Sequence, residues 1–165
     1  MTELEKELQT ILKQVEDSQL KLRKYNETLR HYYIRLEEIS AQYKRKAPIS
    51  DTNFETDFRT LVEGLRALSD ENYTFWRDVR TQYYNKYKDT IDQEFRFLVK
   101  QIKGFCASFT RQADELFTLY KNLQRLTGDL PLRLNWWLFE NAVQDLQNTA
   151  KRILFLVRSM EKSYA

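Results

Sequence analysis

The side chains able to do chemistry are few and poorly arranged for it. His31 is the single histidine of the chain, so a histidine-based metal centre would have to draw its other ligands from carboxylates. Glu27 lies one helical turn before it, but no Glu-x-x-His pair occurs, the spacing that turns two ligands inward in di-metal bundles. His31 therefore reads as a surface or boundary residue. Cys106 follows Phe105, has no second cysteine to pair with, and reads as a small apolar residue. A lone cysteine excludes an intramolecular disulfide and suits a reducing compartment, so a cytoplasmic setting is expected. Gly64, Gly104 and Gly128 stand apart from one another, which leaves no phosphate-cradling loop. The neighbouring acids Glu37–Glu38 and Asp70–Glu71 fit solvated helix surface and helix-start charge. These patterns argue against an enzyme, a cofactor or metal, and a small-molecule ligand.

What stands out instead is aromatic and apolar. The stretch NWWLFENAV, residues 135–143, sets two tryptophans side by side. Consecutive helical residues point about 100° apart, so one ring can face a core while the other cannot. Trp136 falls on the apolar seam. Trp137 lies beside it, among Leu134 and Leu138, where the helix start is apolar over most of its circumference. Leu134, Trp137 and Leu138 are therefore candidate interface residues.

The elements that must carry these side chains follow from one period. With 3 Gly and 2 Pro in 165 residues, the chain has little punctuation, and its elements must be long. From Leu4 the heptad positions run Leu8, Ile11, Val15, Ser18, Leu22, Tyr25, Leu29, Tyr32, Leu36, Ile39 and Tyr43, with only Ser18 polar. That four–three spacing predicts a packed helix over residues 3–46, with Thr2 and Glu5 as a capping box and Pro48 as the stop. A second segment restarts at Thr52 with Glu55 as a further capping box and shows Phe54, Phe58, Leu61, Leu65 and Leu68. Its stripe then shifts to Trp76 and Val79, a stutter within one helix rather than a break at Ser69–Asp70. A helix turn is expected near residue 88, with a capping box at Thr90 and Gln93. A third segment follows through Ile102, Phe105, Phe109, Gln112, Leu116, Leu119, Leu123 and Leu126, closed by Gly128 as a C-terminal cap. Pro131 opens the fourth, which runs through Leu132, Trp136, Phe139, Val143, Leu146 and Ala150. The chain thus reads as a single all-α domain over residues 1–165: an elongated, coiled-coil-like, antiparallel four-helix bundle with short loops.

Charge is more telling in distribution than in its total of +3. Residues 18–46 hold eight Lys/Arg against three acids, and residues 96–125 hold six against two. Residues 51–95 reverse the sign, with ten acids against six bases. Complementary helices pairing inside the bundle account for this at modest energy per contact. A second reading gives the basic stretches to phosphates, through Lys21, Arg23, Lys24, Arg30, Lys44, Arg45 and Lys46, with Tyr33 available to stack on bases. Tyr25, Tyr32 and Tyr43 occupy the seam and are expected to face inward.

The architecture by itself names no function. The expectation is a non-enzymatic protein–protein interaction module, a scaffold, adaptor or small regulatory subunit. The first seam reaches back through Ile11 and Leu8 to Leu4, beyond what a shorter fourth helix covers, so these three join the candidate interface and a homodimer or hetero-complex is expected. Nucleic-acid contact is the second reading. A peripheral membrane module, in which tandem tryptophans sit at a headgroup interface, is the third.

Overall fold

A computed structural model describes residues 3–79, 81 and 93–162. The side chains of residues 4, 8, 93–95, 98, 153, 156, 157 and 159–162 lie outside the described set. Among the described residues four helices pack together: α1 (Glu3–Lys44), α2 (Phe54–Asp78), α3 (Gln93–Leu126) and α4 (Trp136–Lys162). No strand occurs among the described residues. The expected turn near residue 88, and the capping boxes of Thr2 and of Thr90 with Gln93, involve residues outside that set.

The seam of α1 buries Ile11, Val15, Ser18, Leu22, Leu29, Tyr32, Leu36 and Ile39, with Tyr25 half-buried. Tyr43 departs from the expectation and is 46% exposed, one residue before α1 ends at Lys44. The helix closes in a Schellman turn. Lys46 N–H donates to the Tyr43 carbonyl at 3.0 Å, and Ala47 N–H to that of Gln42 at 2.9 Å. Lys46 takes φ 56° there, the left-handed geometry the motif requires. The Gln42 side chain then clasps Ser50, accepting from its N–H at 3.0 Å and donating to its hydroxyl at 2.9 Å.

α2 runs unbroken through Ser69–Asp70. Its buried stripe is Phe54, Phe58, Leu61, Leu65, Leu68, Asn72, Trp76 and Val79, so two successive four-residue steps make the stutter. The capping box at Thr52 and Glu55 does not form. Asn53 is the N-cap and makes no side-chain cap bond, while the Glu55 carboxylate instead accepts from Arg133 N–H at 2.7 Å. A tertiary acceptor role has displaced the local one.

α3 corrects the expected seam by one residue at alternate positions. Val99, Cys106, Ala113 and Tyr120 are fully buried with Ile102, Phe109, Leu116 and Leu123, whereas Phe105, Gln112, Leu119 and Leu126 are half-buried. The wide stripe has a physical reason: α3 packs on both α1 and α4. Gly128 is not a left-handed cap. The turn is closed instead by Thr127, whose hydroxyl donates to the Gln124 carbonyl at 2.9 Å. Pro131 and Leu132 also lie in the connection rather than in the first turn of α4, which begins at Trp136. Leu130, Leu132 and Leu134 hold this connection down against the core.

Cross-helix pairs give the relative directions. Tyr32 and Arg35 meet Asp57, and Lys21 meets Glu71, so α1 and α2 run oppositely. Tyr120 meets Trp136 and Asp114 meets Gln147, so α3 and α4 do too. Gln19 meets Ser108, Asn26 meets Gln112 and Arg30 meets Glu115, so α1 and α3 run in the same sense. Phe58 with Trp136 and Tyr73 with Arg152 make α2 and α4 parallel as well. The molecule is two antiparallel hairpins, α1–α2 and α3–α4, docked through two parallel pairings. This differs from a bundle in which every neighbour is antiparallel. Because α2 and α3 run in opposite senses, they are not one continuous rod.

Candidate functional site

The tandem tryptophans sit where the four helices meet at one end of the molecule. Asn135 fixes the start of α4: its side-chain oxygen accepts from Leu138 N–H at 3.1 Å. With the helix so phased, Trp136 turns into an aromatic cluster. Its ring centroid lies 4.9 Å from Phe58, 5.6 Å from Tyr120 and 5.9 Å from Phe139. Phe58 and Phe139 stack at 5.3 Å, and Phe54 joins them beside Tyr32. Trp137, one residue on, is 70% exposed.

The other candidate interface residues separate from it. Leu134 and Leu138 are half-buried and packed against the core. Ile11 is a correction: it is 6% exposed and belongs to the core, because the upstream half of α1 lies along α3 and needs no second chain to cover it there. The side chains of Leu4 and Leu8 lie outside the described residues.

The basic candidates all lie on the surface but do not form one free face. Lys21 pairs with Glu71 of α2 at 3.3 Å, and Arg30 pairs with Glu115 of α3. Arg23, Lys24 and Tyr33 are exposed along α1, while Lys44, Arg45 and Lys46 crowd its end, where Arg45 also donates to the Ala41 carbonyl. Pairing between helices has claimed part of the charge that a phosphate would need.

Compared with family models, curated proteins and solved structures, the chain matches none.

Among the described residues no group of three or more His, Cys, Asp or Glu gathers where it could hold a metal. His31 is exposed. Cys106 is fully buried, and burial pushes its thiol well above the ordinary range. No helix, among the residues described, is long and apolar enough to cross a membrane.

Two polar features escaped the sequence reading. Arg35 forms a bidentate pair with Asp51 at 2.7 and 2.8 Å and reaches Asp57 at 2.9 Å, with its guanidinium over the rings of Tyr32 and Phe54. The Arg35 hydrogen bonds hold the Asp51 carboxyl below the usual carboxylate range, and the Asp51 bond raises Arg35 in turn. The second feature is Gln19 and Asn26, buried against α3. The available signal was their shared heptad position, one residue past the seam and seven apart.

Proposed function

We propose that this chain is a non-enzymatic helical interaction module, a scaffold, adaptor or small regulatory subunit. Its elongated, coiled-coil-like bundle presents α4 to a protein partner through Trp137. One observation carries the reading: Trp137 is 70% exposed on a capped helix whose preceding residue is anchored in the core. An exposed indole on a rigid support loses little conformational freedom on docking, the property that makes tryptophan a frequent interface anchor. The lone buried Cys106 fits a cytoplasmic setting for such work.

The partner is a protein surface, with a second copy of the chain the first to test. Sedimentation at tens of micromolar, a scale suited to ordinary affinities, is expected to show association. Trp137→Ala should weaken it roughly thirtyfold, corresponding to about 2 kcal/mol for an anchor residue. A clean monomer would exclude the homodimer. Association unchanged by Trp137→Ala would remove α4 as the docking face. Binding that appears only at low salt, and only to nucleic acid or anionic vesicles, would replace the proposal with an electrostatic one.

A further inference from the structure

The two hairpins dock through α1 against α3 and α2 against α4. The α2–α4 side is aromatic and apolar around Phe58, Trp136 and Phe139. The α1–α3 side carries Ser18, Gln19 and Asn26, which are 2%, 9% and 2% exposed. Gln19 donates to the Ser108 hydroxyl at 2.6 Å, and Asn26 donates to the Gln112 backbone carbonyl at 3.1 Å. The Ser18 hydroxyl and the side-chain carbonyl oxygens of Gln19, Asn26 and Gln112 have no protein partner. Leucine at such positions would serve stability better, since buried polar groups with unmet oxygens are held at a cost. Discrimination is what they add.

The fully buried leucines alone would not fix the docking. Leu22, Leu29 and Leu36 recur every seven residues at full burial, so sliding α1 by one heptad, about 10 Å, sets leucine where leucine was. The neighbouring heptad position reads Leu12, Gln19, Asn26, Tyr33. A slide in one direction brings Leu12 to Ser108, and in the other it drives Tyr33 onto Gln112. Either slide takes one of the two amides away from its partner on α3. We infer that Gln19 and Asn26, met by Ser108 and Gln112, form a register lock that fixes how hairpin α1–α2 docks on hairpin α3–α4. A single polar residue in a helical seam is known to set register in this way at the expense of stability.

Spin labels on Arg23→Cys and Asn122→Cys, in a Cys106→Ala background, test this by pulsed electron resonance. From the Arg30–Glu115 level, the labels stand about 14 residues apart along the axis, roughly 21 Å. With the lock intact, one narrow distance is expected. Gln19→Leu/Asn26→Leu should raise the melting midpoint by about 2–4 °C or more and add a second population displaced by about 10 Å. The converse change, Ser108→Ala, removes the side-chain partner that α3 supplies to Gln19 and should also broaden the distance. One narrow distance in both variants, or loss of folding in both, would make the layer a stability element and overturn the inference.

Discussion

At the residue scale the tandem tryptophans divide their labour through a 100° turn of the helix. Trp136→Ala removes a ring packed among Phe58, Tyr120 and Phe139, and denaturant unfolding should register a loss of about 3–5 kcal/mol. Trp137→Ala should stay within about 0.5 kcal/mol of the parent in the same assay. Gly64 supplies a second, less visible case. A Cβ added there would stand 2.5 Å from the Tyr25 hydroxyl and 3.1 Å from its ring. Gly64→Ala should therefore destabilise by about 1–2 kcal/mol through overpacking, despite alanine's better helix propensity. In a Tyr25→Ala background the same change should instead stabilise by about 1 kcal/mol. Thermal unfolding of the four chains gives this coupling directly. The inward turn of Trp136 was readable from the heptad. The need for glycine at 64 was not, because it depends on a ring from another helix.

At the element scale, Arg35 ties α1 to the start of α2. Its pair with Asp51 is partly shielded, with side chains 27% and 23% exposed. Arg35→Met should cost about 1–2 kcal/mol at pH 7. The acid dependence has a definite sign. Since the Arg35 hydrogen bonds lower Asp51 in the folded chain, its contribution is complete above the ordinary carboxylate value of about 3.9. It is lost as pH falls through the lower folded value. Urea unfolding between pH 5 and 2 should show this as a decline in stability that Arg35→Met makes shallower. Equal slopes for the two proteins would mean that other carboxylates govern acid unfolding. The helices and the α2 stutter were legible because burial on one face imposes a period that sequence records. Caps were less legible: Glu55 left its capping role for Arg133, and Thr127 took the closing role expected of Gly128. Caps are local bargains that a neighbouring loop can overrule.

At the scale of the whole molecule, the docking of two hairpins pairs part of the surface charge across helices. Lys21 and Arg30 already face Glu71 and Glu115, and such exposed pairs contribute about 0–1 kcal/mol each. Association through Trp137, as proposed, would bury apolar surface and should persist when salt is raised from 0.1 to 0.5 M in a sedimentation experiment. Contact with anions through Arg23, Lys24 and Lys44–Lys46 should weaken steeply over the same range, because counterions compete for it.

Period and composition determined the helical class, the long described helices, the stutter in α2 and the opposite facing of Trp136 and Trp137. Each is a property of one helix and its apolar face, and a face is written in the spacing of the residues that make it. Only the tertiary structure decided which helices are neighbours and in which sense they run. Four amphipathic helices can be paired in several ways that bury the same stripes, and a stripe carries no address for its partner. The parallel pairing of α1 with α3, the core position of Ile11 and the one-residue shift of the α3 seam all followed from that choice. In each, what a side chain meets depends on a helix far from it in sequence.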